Sequence, residues 1–323
     1  MDTTVYLLGA GASRNALPMG AEFEQALRNF RGMYEGAGDS AAGQFLSGQK
    51  MADYNRNKQE FFEATQWAAD IARDYGSLDA YANERFFRGD SANVRKIKSV
   101  ISAYFVAEQS QKPVDPRYRM FFTEVLDRRT SSKPIIPPNM KIVTWNYDTQ
   151  LEAAYYGFCN NDDMVLTDIT GNDDQIIRLN GYCAGAINVG HGDEFTAPWK
   201  SRGPAALPLA YGLYHDFMDS QKNLDIFLFF AWEHDREAVF LRRLPTILSD
   251  TSNLVLIGYS MPLLNRDIDK LVFGAMPNLK KVDFQVGPDQ TDELKEKLYK
   301  MLPRLSGSDI VYRQNLKKFY VPY

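Results

Sequence analysis

The fold class of this chain is indicated most directly by one stretch near its start, Thr4-Val5-Tyr6-Leu7-Leu8-Gly9-Ala10-Gly11-Ala12-Ser13. Its first five residues form a short apolar run, which is typical of a strand buried inside a parallel sheet. Small residues follow at once, and residues 21–30 then show the helical spacing of an amphipathic helix. A strand that leads through small residues into a helix brings backbone N–H groups close to a phosphate, so the stretch predicts a nucleotide-binding α/β unit.

Strand-like runs return only after residue 138. They span residues 141–145, 164–166, 175–179, 254–257 and 282–286. Helical patterns lie between several of them, for example at residues 235–244 and 291–301. Strands that alternate with helices predict an α/β fold, a Rossmann-like parallel sheet with helices on both faces.

The chain between the first strand and the later strands shows helical patterns instead of strand-like runs. Apolar residues recur at three- and four-residue steps over residues 61–72 and 94–109, and a further helix is predicted at 118–126. We therefore expect an inserted helical subdomain at residues 31–128. The nucleotide-binding α/β domain would comprise residues 1–30 and 129–323, with a long polar loop at residues 184–206.

Composition excludes several classes of protein. The 323 residues are 45% apolar and 24% charged, as in soluble globular proteins, and the net charge of −4 does not favour direct binding of nucleic acid. No apolar run approaches the ~18 residues of a membrane helix, and the first residues do not resemble a signal peptide, so we expect a cytoplasmic protein. Cys159 and Cys183 are predicted to be free thiols, because two separate cysteines cannot build a four-cysteine zinc site; no metal is expected.

Four segments that follow predicted strands contain the candidate functional residues. They are Gly9–Ser13, Thr144–Asp148, Arg178–Gly181 and Gly258–Pro262. Since the carboxyl ends of parallel strands share one edge of a sheet, we expect these segments to meet there. Each segment also has a structural alternative: a tight turn at Gly9–Ser13, a helix N-cap at Asp148, and ordinary loops at the other two. A hydride-transferring dehydrogenase is not favoured, because Arg14 stands where the dinucleotide fingerprint has its third glycine.

The order of these segments carries a resemblance to a known family. Gly-Ala-Gly-Ala-Ser, Trp-Asn-Tyr-Asp, Leu-Asn-Gly and Gly-Tyr-Ser, in this order, resemble the sirtuin-like superfamily, and in particular the bacterial proteins of anti-phage defence that hydrolyse NAD. The resemblance covers roughly residues 3–30 and 138–290. It implies contacts with the NAD phosphates from Gly9, Ala10, Gly11 and Ser13, with the nicotinamide ribose from Asn146 and Asp148, and with the adenosine side from Gly258 and Ser260.

The chain departs from this family at one important position. Asn180 stands where the family has a histidine, which can act as a general base, whereas an amide cannot. His191, in the polar loop, is a candidate substitute base, with an exposed loop histidine as the alternative. The resemblance therefore implies either an NAD glycohydrolase with Asn146, Asp148 and Asn180 as catalytic residues, or a non-catalytic module that binds NAD or ADP-ribose. It also implies a homo-oligomer and a helicase or Argonaute-like sensor as partner.

Overall fold

The structure is a computed structural model, and it describes residues 2–39, 42–43, 46–127, 134–159, 175–188, 192–195, 202–222, 224–233 and 241–322. In this part of the chain the larger sheet has six parallel strands in the order β3-β2-β1-β7-β8-β9. Its strands are Thr3–Leu8 (β1), Met140–Thr144 (β2), Ile176–Arg178 (β3), Thr251–Ile257 (β7), Lys281–Gln285 (β8) and Ile310–Tyr312 (β9).

The strand order fixes where a ligand would bind. From β1 the sheet grows through β2 to β3 on one side, and β7 then adds on the other side and continues to β8 and β9. The order of the strands therefore reverses between β1 and β7. In open α/β sheets this reversal point, at the carboxyl ends of the strands, is where ligands bind.

Helices cover both faces of this sheet, which confirms the predicted fold class. The described α-helices are Gly20–Tyr34 (α1), Gln49–Tyr75 (α2), Leu78–Phe87 (α3), Ser91–Gln111 (α4), Pro116–Val125 (α5), Gln150–Tyr156 (α6), Leu207–Met218 (α7), Leu244–Leu248 (α8), Arg266–Gly274 (α9) and Thr291–Met301 (α10). Because side chains alternate along a strand, Val5 and Leu7 pack against α8, α9 and α10, whereas Tyr6 and Leu8 pack against α5 and α6. Both faces of β1 are thus buried.

The helices α1 to α5 lie between β1 and β2 along the chain, where the sequence predicts helices at residues 21–30, 61–72, 94–109 and 118–126. Helices α1 to α4 share a core that is rich in aromatic residues and that also takes in α7 and the strand β6 (Leu224–Leu228). Helix α5 instead packs on the parallel sheet through Phe121 and Phe122. The domain boundaries at residues 30 and 128 stay a prediction, and this packing shows that the helical core also uses residues far beyond them.

A second, antiparallel sheet was not predicted. Its order is β5-β4-β6, with β4 at Gly181–Asn188 and β5 at Gly192–Phe195. The prediction of a long loop at residues 184–206 is therefore wrong where β4 and β5 lie. Backbone pairing of β4 with β6 and of β5 with β4 makes strands of a segment whose glycine and polar residues favour a loop. The predicted strand at 164–166, residues 235–240 of the predicted helix, and His191 lie outside the described residues. Within the described part, no helix has both the length and the apolar character of a membrane span.

Candidate functional site

The four segments chosen from the sequence start at one level of the sheet. Leu8, the last residue of β1, is paired with Thr144 at the end of β2 and with Ile257 at the end of β7. Thr144 is in turn paired with Arg178 at the end of β3. The prediction that these segments meet at one edge is confirmed.

A cleft of about 200 Å³ opens at this edge. Seven of the predicted site residues line it, namely Ala10, Ser13, Asn146, Asp148, Asn180, Gly258 and Ser260. The helical part of the chain contributes further lining residues, namely Leu17, Pro18, Asp79 and Phe105, and the strand-end loops add Trp145, Tyr147, Tyr259, Pro262 and Asn265. Gly9 and Gly11 are not among the lining residues.

Gly9 and Gly11 instead pack against the loop that follows β7. The Gly11 N–H donates to the carbonyl of Gly258 at 2.9 Å. Gly258 has a left-handed φ of +61°, and a Cβ atom there would lie 2.3 Å from the carbonyl carbon of Gly11. These glycines therefore let two loop backbones touch each other, which is a packing role that the sequence did not suggest.

The chain after the glycine loop also differs from expectation. Residues Ala10–Ser13 form a short 3₁₀ turn, and the long helix α1 begins only at Gly20. The Asn15 N–H donates to Asp115 at 3.0 Å, and Pro18 follows, so the chain stays irregular between the two elements. The N-terminus of an α-helix at the loop itself is therefore not present.

A buried cation holds the glycine loop from behind. Arg117, near the start of α5, donates to the carbonyl oxygens of Gly11 and Ala12, at 3.1 Å each, and forms a 2.6 Å ion pair with Asp115. The carboxylate of Asp115 is fully buried, and the hydrogen bonds from Arg117 hold its pKa below the usual range against the opposing effect of burial. The helical part thus fixes the loop that lines the cleft.

Ser13 and Asn146 connect two of the four segments directly. The Asn146 side-chain amide donates to the Ser13 hydroxyl at 3.3 Å, and this hydroxyl also shares a 3.1 Å hydrogen bond with the hydroxyl of Tyr118. All three side chains are buried. Two residues that the sequence placed in separate motifs are therefore part of one polar cluster.

Asp148 lines the cleft and bonds to the start of α6, but the N-cap residue of that helix is Thr149 and not Asp148, so the predicted helix N-cap is off by one residue. Its Oδ1 accepts the N–H of Gln150 at 3.0 Å. Burial raises the pKa of this carboxyl to about 6, opposed by hydrogen bonds from Gln150 and Ser13 and by the nearby charge of Arg178. The group therefore titrates close to neutral pH.

Arg178 holds the segment that contains Asn146 and Asp148. Its guanidinium donates to the carbonyl oxygens of Asn146 at 3.3 Å and of Asp148 at 3.2 Å. It also forms a buried ion pair with Glu152 of α6. The sequence pointed to Arg178 only as the start of a polar loop, since a buried ion pair between neighbouring strand and helix leaves no local pattern.

Asn180 presents an unsatisfied acceptor at the cleft. The side chain is only 6% exposed, its Nδ2 donates to the Trp145 carbonyl at 3.4 Å, and its Oδ1 has no hydrogen-bond partner among the described residues. The Trp145 carbonyl fixes the orientation of the Asn180 amide, because a flipped side chain would place the Oδ1 acceptor against this carbonyl oxygen. Gly181, with a φ of +65° that favours glycine, turns the chain directly after Asn180. A buried acceptor without a donor is costly unless a ligand supplies one.

An aromatic pair and one acid that line the cleft have no role predicted from the sequence. Trp145 and Tyr259 stack at a centroid distance of 5.7 Å, and the Tyr259 hydroxyl donates to buried Asp269 at 2.7 Å. Asp79, in the first turn of α3, comes from the inserted helices, where no strand-end rule applies. The motif Gly-Tyr-Ser did signal Tyr259, whereas nothing in the sequence signals Asp79.

The ionisable groups in the described lining of the cleft are acidic and not basic. It contains the carboxyl groups of Asp79 and Asp148, and it contains no Lys, Arg or His. Burial raises the pKa of each of these two carboxyls to about 6, so both are largely ionised at pH 7 to 8. Such a cleft favours a neutral donor or a positively charged group next to the carboxylates.

Comparison with models of known protein families and with curated proteins finds no match to this chain.

Proposed function

We propose that the protein is an NAD glycohydrolase, which cleaves NAD into nicotinamide and ADP-ribose at the cleft. One observation carries the proposal. The unpaired Oδ1 of Asn180 lines the same cleft as the Asn146 amide and the Asp148 carboxylate, and no described cation lines it. This combination suits a positively charged nicotinamide riboside that has hydroxyl groups to donate.

The chemistry of the reaction fits such an environment. The bond between the ribose C1′ and the pyridinium nitrogen breaks, its electron pair leaves with neutral nicotinamide, and positive charge develops on the ribose. Fixed carboxylates near this charge stabilise the transition state more than the ground state when they lie close to the ribose. Water then adds to C1′ and releases a proton, so a strong base is not required for the bond-breaking step.

Each of the seven predicted site residues that line the cleft has a proposed role. Asn146 holds the attacking water, the Oδ1 of Asn180 accepts a ribose hydroxyl, and Asp148 orients the nicotinamide riboside. Ala10 and Ser13 face the phosphates, and Gly258 and Ser260 face the adenosine side. Without a cation in the described lining, contacts to the phosphates come from backbone N–H groups and hydroxyls.

The second candidate is a module that binds NAD or ADP-ribose without cleaving it. Asn180 favours this candidate, because an amide cannot take a proton from water or from a ribose hydroxyl. The two candidates predict the same ligand and differ only in turnover. Measuring binding and nicotinamide release on one preparation therefore separates them.

The test is to incubate the purified protein with NAD and to follow nicotinamide by chromatography. We expect release by the parent protein, and we expect Asn180→His to add a titrating step near pH ~6.5 to the rate. The double variant Asn180→His with His191→Ala shows whether that step belongs to position 180. Tight binding of NAD with no nicotinamide release, in every assembly state, would establish the binding module instead.

We further infer a cytoplasmic role in anti-phage defence, as a homo-oligomer controlled by a helicase or an Argonaute-like sensor. This inference rests on the family resemblance alone. Co-purification of such a partner from the native host, together with NAD loss on infection, is the measurement that tests it.

A further inference from the structure

Asp79 is a carboxylate that the proposed mechanism has not used. It is the second residue of α3, it lines the cleft together with Asn146, Asp148 and Asn180, and it is half-buried. No hydrogen bond or ion pair joins it to any residue that the structure describes. Its side chain is partly exposed, and the protein atoms packed around it raise the pKa of its carboxyl to about 6.

A purely structural role does not explain this position. An acid in the first turn of a helix interacts favourably with the helix dipole, but an exposed side chain does so without the cost of burial. The helix already has a cap, because the Ser77 hydroxyl accepts the Ala80 N–H at 3.1 Å. A ligand with a positively charged or donor group in the cleft would offset the desolvation of this unpartnered carboxylate.

We propose that Asp79 contacts the nicotinamide riboside end of the dinucleotide and makes the protein select the positively charged, oxidised form. This inference rests on the proposed function and assigns to its site a specificity-determining residue. The nearly buried Oδ1 of Asn180, without a partner in the described chain, independently indicates that a ligand with donor groups belongs in the same cleft. The other titratable groups in the described lining are Asp148, Tyr147 and Tyr259, and none of them carries positive charge.

Charge selection gives the proposal a measurable signature. NAD carries a positive pyridinium ring, whereas NADH has a neutral dihydropyridine in the same place. Removal of a carboxylate beside this ring therefore weakens binding of the oxidised form and leaves the reduced form nearly unchanged. A carbocyclic NAD analogue, whose bond to nicotinamide does not hydrolyse, keeps the positive ring and allows equilibrium measurement with an active protein.

The experiment measures the dissociation constants of carbocyclic NAD and NADH by calorimetry at pH 7.5. It compares the parent protein with Asp79→Asn and with Asp292→Asn. Asp292 is the matched control, because it is also the second residue of a helix and is exposed outside the cleft. We expect Asp79→Asn to weaken the analogue about tenfold, a change of about 1.4 kcal/mol, and NADH by less than twofold. Asp292→Asn should change neither the dissociation constant of carbocyclic NAD nor that of NADH.

Equal weakening of both ligands, or of neither, would overturn the role of Asp79 while nicotinamide release by the parent still supported the proposed function. If the parent binds neither ligand and releases no nicotinamide, the proposed function fails and the role of Asp79 fails with it. If the parent binds both without cleaving NAD, a selective loss in Asp79→Asn still supports the charge contact within a binding module.

Discussion

The two sides of the cleft are built from different parts of the polypeptide. On the glycine side, Gly9–Ser13 and Gly258 meet through their backbones, with no room for a Cβ atom between them. On the amide side, Asn146–Asp148 and Asn180 present polar side chains, and Arg178 holds them from beneath through backbone carbonyls. On the glycine side the two loop backbones pack directly on each other, whereas on the amide side the Oδ1 of Asn180 has no hydrogen-bond partner among the described residues.

This difference separates residues that form the cleft from residues that bind in it. The small residues at Gly9–Ser13 predict a phosphate-binding loop. In the structure, however, Gly9 and Gly11 pack against the loop that follows β7. The amides and carboxylates, which are weaker sequence signals, face the cleft. We expect substitutions on the glycine side to act through stability, and substitutions on the amide side to act through ligand binding and turnover once their support is intact.

The largest effect is expected from Arg178→Met, which removes the support of the amide side. It leaves Glu152 buried and unpaired, and the loss of one partner of a buried pair typically costs about 3–5 kcal/mol of unfolding free energy. Urea denaturation measures this value. The double variant with Glu152→Leu should recover a large part of the loss, because no unpaired charge remains. Equal stability of Arg178→Met and the parent would contradict the role of the pair.

The next effect is expected from Gly258→Ala on the glycine side. The new methyl group would meet the Gly11 backbone, and the left-handed φ adds strain, so we expect a loss of about 2–4 kcal/mol in unfolding free energy. Gly76→Ala is the matched control, because Gly76 has a φ of +76° but no atom within 4 Å of its Cβ position. Its loss should be about 1 kcal/mol, since only the strain of the left-handed backbone remains. An equal loss of unfolding free energy in the two variants would contradict the close packing of the Gly258 loop on Gly11.

A smaller change in free energy is expected from Asn146→Ala, and it should appear in turnover. Removal of a positioned catalytic group typically lowers the rate ~10²-fold, while we expect the dissociation constant for carbocyclic NAD to change less than about threefold. The control is Asn29→Ala on the exposed surface of α1. Cleavage at the parent rate by a folded Asn146→Ala variant would remove this residue from the mechanism.

The smallest effect is expected from Asp148→Asn, measured as stability against pH. The folded-state pKa of Asp148 is raised to about 6, so the fold prefers the protonated form. Its stabilising contribution is therefore present below pH ~4 and is lost as the pH rises to about 6. An asparagine does not titrate, so the variant should gain stability relative to the parent over this range, by about 1–3 kcal/mol. If the unfolding free energies of the parent and of Asp148→Asn changed in parallel with pH, burial would not raise the pKa of Asp148 in this way.

Five of the six described parallel strands, all except β9, could be predicted from the sequence, as could the sheet edge at which the cleft opens, and the reasons are local. β1, β2 and β7 are continuous apolar runs, and parallel strands bring their carboxyl ends to one edge whatever lies between them. Asp79 could not be predicted, because its approach to that edge depends on how α2, α3 and α4 pack together. Strand β4 was missed for a related reason, since its pairing partner β6 lies far away in sequence.

The contact between Gly11 and Gly258 has a consequence for the order of events during synthesis. The two residues lie far apart in the sequence, and each loop needs the other as its packing surface. A nascent chain can form helices α2 to α4 early, because they follow one another in sequence, whereas β1 pairs only with the distant strands β2 and β7 among those described. It has no assembled cleft until β7 and Gly258 have left the ribosome, so whatever the cleft binds can meet the site only after this second loop has been made.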